Sequence, residues 1–348
     1  MIQTKITQTF ALAGFVPAGK LSYFFRSLLP VLALCVATAA WSQTTFGLRG
    51  PRPMRGGPGA AQPAKLAAAT PASAQNNFIT IQIPGSAGAY AYNINDGRLV
   101  TGDYFDANGN GHGFVWYRGS THTLDHPGSQ DTLPSATNNL GVDIGFYGDL
   151  TTGHAATYSL ATGTWATLPD IAGLPVNYGD NINDLGVAVG VAGINLDVLQ
   201  SSGGCSVSWI WDPLKSAYSF FSVPGAANGT CANGINDLGQ IAGGYFDASG
   251  MVHGFLKDGD SYTTFEVPGT GNETGANQIN NKGEIAGGFY DASGYDHGYV
   301  RSAEGAFTVV DVPGTSNSAV FGINDRGDLC GYYTDASGAA HAYVALKK

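Results

Sequence analysis

From about residue 78 onward, the chain is written in short apolar runs of five to seven residues. Gly, Asn, Asp or Pro closes each run. No stretch after residue 77 keeps a helical period of useful length. The clearest example spans residues 234–269, GINDLGQIAGGYFDASGMVHGFLKDGDSYTTFEVPG. Its apolar runs predict four strands, roughly at 232–236, 240–246, 253–257 and 262–267. Asp237-Leu238-Gly239, Asp247-Ala248-Ser249-Gly250 and Asp258-Gly259 supply the turns, with Gly free to take positive φ. Apolar residues fill most of the run positions, which suits strands covered on both faces by neighbouring sheets.

The same pattern recurs in step. An Ile-Asn-(Asp/Asn)-x-Gly turn appears at Ile182, Ile235, Ile279 and Ile323, with variants at Ile94 and Thr137. The Ile94 copy reads as one residue short before its Gly. Successive spacings are 43, 45, 53, 44 and 44. A Pro-Gly strand end follows the same beat at Pro84, Pro127, Pro224, Pro268 and Pro313, with a looser Leu168-Pro169-Asp170 between. Periods near 44 indicate units that cannot bury their own faces and must stack.

Six units of four antiparallel strands predict an all-β, six-bladed β-propeller. The ends favour a ring over a linear array. The last unit stops after three strands, at His341-Ala342-Tyr343-Val344. Residues 78–85 (FITIQIPG, from Phe78 to Gly85) read as the missing fourth strand. Closing the ring in this way protects edges that an open array would expose.

The N-terminal part is different. Lys20 and Arg26 precede an apolar run at 27–40, too short for a bilayer span. With the small residues that follow it, the run predicts a signal peptide over 1–42 and export to a secreted or periplasmic address. Residues 43–77 are rich in Ala, Pro and Gly, a composition that predicts a disordered linker. The repeat domain is then 78–348, with no transmembrane segment in the mature chain, and a monomer is expected.

Charge sharpens the picture. Seven Lys or Arg and no acid precede Phe78; nine basic and 26 acidic residues follow, a net of −17. Such a surface repels nucleic acid and anionic lipid and admits neutral or cationic partners.

The Ile-Asn-Asp-x-Gly turn, the Asp-Ala-Ser-Gly turn and the triplets at His112, His253, His297 and His341 resemble the HAF-type extracellular repeats of secreted bacterial proteins. The resemblance implies a secreted repeat protein. It implies no reaction, so no catalytic residue is carried over.

Candidate chemistry is sparse. Four His follow an Asp by six residues: Asp106 and His112, Asp247 and His253, Asp291 and His297, Asp335 and His341. His154 follows Asp149 by five. A hydrogen bond across the turn is the expected role. Third strands lie too far apart to gather these rings around one metal. The turn from Asp106 to Gly111 matches the start of a calcium loop, but Tyr117 stands where its bidentate Glu belongs. Weak calcium binding there is the one cofactor possibility. Asp125-His126 reads as an acid–histidine pair outside the repeat pattern. The third unit carries an insertion with Asn195, Asp197 and Gln200 as candidate binding residues. Cys205 ends it, and a Cys205–Cys231 disulfide is expected; Cys330 reads as a buried thiol. These features predict a non-enzymatic scaffold that binds an extracellular protein or glycan. The alternatives are a hydrolase or lyase acting on polysaccharide or a small molecule at the channel mouth, and a structural envelope protein.

Overall fold

The computed structural model describes residues 76–148, 152–193, 207–268, 273–291 and 293–348. The signal-peptide and linker expectations therefore fall almost wholly outside the described residues, as do Asn195, Asp197, Gln200, Cys205 and Asp149. Among the described residues there are 24 strands and no helix, so none contains a helix long and apolar enough to cross a membrane.

Unit one contains β2 (Gly88–Ile94), β3 (Val100–Phe105), β4 (Gly111–Tyr117) and β5 (Ser120–Leu124), preceded by β1 (Asn76–Thr80). Unit two contains β6 (Asp131–Thr137), β7 (Val142–Gly148), β8 (Gly153–Ser159) and β9 (Thr164–Thr167). Unit three contains β10 (Val176–Ile182), β11 (Ala188–Gly193), β12 (Val207–Asp212) and β13 (Ala217–Phe221). Unit four contains β14 (Thr230–Ile235), β15 (Ile241–Phe246), β16 (Val252–Asp258) and β17 (Ser261–Phe265). Unit five contains β18 (Thr274–Ile279), β19 (Ile285–Tyr290), β20 (Asp296–Arg301) and β21 (Phe307–Val310). Unit six contains β22 (Ser318–Ile323), β23 (Leu329–Thr334) and β24 (Ala340–Lys347).

Each unit is an antiparallel meander, and units two and three are joined by one parallel bridge between Val176 and Gly153. Strand β1 pairs antiparallel with β24, from Asn76 opposite Lys347 to Thr80 opposite Tyr343. It thus begins two residues inside the expected linker and stops short of Pro84. Ile81 extends the contact by donating its N–H to Ala342 O at 2.9 Å.

Burial explains the apolar runs. First strands such as β14, β18 and β22 are buried along their whole length. Outer strands such as β17 are exposed or half-buried. First strands also touch one another: β2 packs against β6 and β22, β10 against β6 and β14, and β18 against β14 and β22. Each first strand carries a bulge just before its Asn turn, for instance between Ala232 and Gly234. There the second strand must come close. A Cβ on Gly243 would lie 1.9 Å from Cys231 O and 2.8 Å from the Phe255 ring. The repeat therefore pairs a Gly in the second strand with the aromatic of its His-Gly-(Phe/Tyr) triplet.

Candidate functional site

Two faces present the recurring polar residues. The first carries the Asn turns. In unit four, Asn236 Oδ1 accepts the N–H groups of Leu238 and Gln240, at 3.1 and 2.9 Å, and so fixes its own turn. Its Nδ2 donates to Asn280 O of the next unit at 3.0 Å. Asn95, Asn138, Asn183, Asn236, Asn280 and Asn324 each make this donation to the following turn, and Asn324 donates to Asn95 O. Only a side chain with both a carbonyl and an amide performs both tasks, so Asp cannot replace Asn here.

A second cycle lies beside it. The backbone N–H groups of Asp96, Asn139, Asp184, Asp237, Asn281 and Asp325 each donate to a side-chain Oδ1 of the following turn, and Asp325 N–H donates to Asp96. Asn139 Nδ2 bridges Asp96 and Asp184, and Asn281 Nδ2 bridges Asp237 and Asp325. These two amides dilute what would otherwise be six adjacent carboxylates. The space between the turns is about 60 Å³.

The Ile94 copy is not shortened, contrary to the expectation from its Gly position. Asn95 Oδ1 accepts Leu99 N–H at 3.0 Å, four residues on, as in the other turns. The Gly and its neighbour have changed places, so Arg98 takes the positive φ (63°) that Gly takes elsewhere.

The other face carries the crossovers and the Asp turns. Asn228, in the crossover into unit four, donates to Asp247 O of that unit's Asp turn. Four of the five recurring His sit against the Asp that opens their turn. The Nε2 to Oδ2 distance is 3.3 Å for His253–Asp247, 3.4 Å for His297–Asp291, 2.8 Å for His341–Asp335 and 3.8 Å for His112–Asp106. Sequence reasoning missed the second carboxylate. Nδ1 meets Asp125 for His112, Asp170 for His154, Glu266 for His253 and Asp311 for His297, at 2.6–3.1 Å. Asp125, Glu266 and Asp311 stand two residues before the Pro of a Pro-Gly marker, and Asp170 ends the looser version, so the signal was present in the spacing. Aromatic rings stack on the same imidazoles, as Tyr245 does on His253. Asp125 therefore belongs to the repeat. His126 occupies the position of Val267, stacks on Tyr147 with ring centroids 3.7 Å apart, and burial lowers its pKa.

Donors also fill the Asp106 carboxylate. Asn108 and Asn110 each give it a backbone and a side-chain N–H, at 2.8–3.3 Å, which holds its pKa at about 2. Asp247 and Asp335 accept comparable bonds from Ser249 and Ser337. Among the described residues, no group of three or more His, Cys, Asp or Glu is arranged to hold a metal. Cys330 is a buried thiol whose Sγ donates to Ala91 O at 3.6 Å. Cys231 is buried and disulfide-bonded, and its partner is not among the described residues.

Units five, six and one also meet in a cluster that the repeat did not announce. Tyr92 donates to Asp103 at 3.0 Å, and the Tyr332 and Tyr290 hydroxyls hydrogen-bond Asp296. Tyr90 packs on Tyr92 and Tyr332. Asp103 is fully buried (0% exposed) and stands where units four and five have Gly244 and Gly288. Burial raises its pKa well above the carboxylate range. Burial together with Asp103 and Asp296 pushes Tyr90 up to about 12. These carboxylates are enclosed, so the arrangement resembles a polar core more than an open catalytic cleft.

No protein-family model matches the chain, and no curated protein matches it either. Solved structures do. A gluconolactonase from Xanthomonas campestris is 12% identical, with 83% of this chain and 96% of that one covered and a TM-score of 0.51. The SapL1 lectin, solved in complex with alpha methyl fucoside, is 14% identical over 77% of this chain and 97% of that one, with a TM-score of 0.49. TolB from Acinetobacter baumannii is 13% identical over 76% and 66%, with a TM-score of 0.48. At 12% identity the likeness to the gluconolactonase is one of fold, and with the strand order it gives an all-β chain of propeller-like architecture.

Proposed function

We propose that residues from Asn76 onward form a six-bladed β-propeller whose last blade is completed by β1, and that this propeller is a secreted, non-enzymatic scaffold binding a protein or glycan partner. The pairing of β1 with β24 and the return of both hydrogen-bond cycles to the first turn support the closed ring. The HAF-type resemblance and the apolar run at 27–40 support the secreted address.

One observation carries the binding reading. The recurring residues that could do chemistry are committed to the scaffold: each of the five repeat His lies against one or two carboxylates, and each Asn or Asp of the axial turns bonds its neighbour. Function then falls to what varies, and loops on a rigid frame are where recognition concentrates. The crossover face, with the third-unit insertion and a Cys205–Cys231 bond tying that insertion to the next unit, is the proposed surface.

Screening the secreted chain on a glycan array, with capture from the extracellular fraction, tests this. Specific retention that is lost when the third-unit insertion is replaced by Asp-Ala-Ser-Gly is the expected result. The hydrolase reading draws on the Asp103–Asp296 tyrosine cluster. Turnover on a polysaccharide panel that vanishes in Asp103→Asn would put that reading first.

A further inference from the structure

Four of the nine basic residues after Phe78 are arginines. Three of the four, Arg98, Arg118 and Arg326, line one cavity of about 420 Å³. It lies at the junction of units one and six, on the Asn-turn face. Ile79, Trp116 and Leu346 supply its apolar wall. Asp96 also lines it. Mutual repulsion among guanidinium groups opposes such a gathering, and among the described residues only Arg98 of the three has an ion-pair partner, Asp328.

The backbone adds a second, independent observation. The described residues contain three non-glycine positions with positive φ: Arg98 (63°), Arg118 (50°) and Ser216 (48°). Two of the three are in this cavity. The other Asn turns place Gly141, Gly186, Gly239, Gly283 and Gly327 where Arg98 stands, and unit four places Gly259 at the hairpin position of Arg118. A side chain in this region is strained, and such strain persists where something other than stability requires it. Arg98 is also anchored. Its Nε and Nη2 donate to the fully buried Asp328 carboxylate of unit six, at 2.8 and 3.2 Å. Arg118 lies over the Tyr117 ring. Among the described residues neither Arg118 nor Arg326 has an ion-pair partner, so two positive charges remain available.

We infer that this seam cavity binds a compact carboxylate with an apolar or CH-lined face, the chemistry of a terminal uronic acid residue. The guanidinium fork matches a carboxylate in plane and spacing. Trp116, Ile79 and Leu346 suit the carbon-bound hydrogens of a sugar ring better than a bare oxyanion. The cavity volume falls within the usual range for small-ligand sites. The acidic surroundings repel an extended polyanion, which restricts the ligand to a single charged unit. The inference rests on the scaffold being a binding protein, and it places a site on the face opposite the crossovers.

Titration calorimetry on the full chain tests it, with glucuronate, glucose and sulfate as probes. Glucuronate is expected to bind at least about tenfold more tightly than glucose or sulfate. Arg118→Gly and Arg326→Gln are each expected to weaken glucuronate binding about tenfold. Arg118→Gly should at the same time raise Tm by about 2 °C, because Gly relieves the positive φ. Equal binding of glucose or of sulfate, full affinity in both variants, or no glucuronate binding in the wild type would each overturn the inference. Any of these results, with crossover-face capture still intact, would leave the scaffold reading standing, so the two failures are separable.

Discussion

Units four and five, set beside the arc formed by units six, one and two, show how one repeat serves two ends. In units four and five nearly every polar residue has the same partner one period later. Asn233 donates to Ala276 O as Asn277 does to Val320 O, and Thr230 and Thr274 each cap the strand end before the crossover. In the other arc the strand-end cap is kept by Thr132 and Ser318, but other positions depart from the pattern. Asp103 and Tyr332 stand where units four and five have Gly, and Asp143 stands where the other second strands have Val100, Ala188, Ile241, Ile285 or Leu329. Thr101, Thr137 and Asp143 form a buried polar trio in place of apolar contacts. Arg98 replaces a turn Gly. The regular side minimises conflict, and the irregular arc accumulates buried charge and strained backbone. Local rules are broken most often where a fold carries function, which makes the arc the better place to look for it.

The largest expected effect tests whether the regular side is the stabilising side. Asn236→Ala removes two accepted and two donated hydrogen bonds. At about 1 kcal/mol each, it should cost about 4 kcal/mol. Denaturant titration of this variant beside Asn95→Ala compares the two sides directly. An equal loss at Asn95 would mean that the turn cycle is as well made in the irregular arc.

The next test breaks the polar trio. Burial raises the Asp143 pKa to about 7, against 3.8 for the ordinary carboxylate. A raised folded-state pKa favours the native state at low pH. That advantage is complete below pH 4 and disappears as pH rises through 7. Asp143→Asn keeps the bond from Thr137 and removes the titration. It should remove the fall in stability between pH 4 and 7 and raise stability at pH 8 by roughly 4 kcal/mol. Urea midpoints at pH 4, 6 and 8 read it, and an unchanged slope would mean that Asp143 is not the titrating group.

Arg98→Ala comes third. It leaves the buried Asp328 with the Asn324 amide and the Lys347 N–H but no cation. Ala keeps the strained φ, so the lost pair sets the cost, about 2 kcal/mol. Arg98→Gly should cost less, because Gly also suits the φ, and the difference between the two thermal midpoints isolates the strain. The smallest effect concerns the Asp106 turn. Because donors already occupy both of its oxygens, millimolar calcium should move Tm by less than about 1 °C.

Much of this was legible from period and turn chemistry. Strands fell close to their expected places because Asp-Leu-Gly, Asp-Ala-Ser-Gly and Asp-Gly leave few alternatives. The strand that pairs with β24 was visible because FITIQIPG matches a missing copy. The Nδ1 carboxylate on four of the five His was missed, since it lies 13 to 16 residues away across a strand pair whose register only coordinates supply. The Asn cycle was missed for a related reason. Each bond joins residues 43 to 53 positions apart, or 229 for the last, and the repeat shows the Asn without its partner. Arg98 was misread because counting to the nearest Gly suggested a deletion, whereas the turn keeps its length and strains one residue. The three-arginine cavity depends on bringing residues 98, 118 and 326 together, which no local pattern encodes.

The hydrogen-bond cycle through the Asn turns has a consequence for how such a chain changes over generations. Every junction uses the same donor and the same acceptor, so one unit can be overwritten by a copy of its neighbour without altering the handshake. In the proposed ring, adding or deleting a unit is another matter, because the turn-to-turn spacing around its axis is set for six. Sequence can therefore drift and be exchanged within the units, while their number is held by geometry.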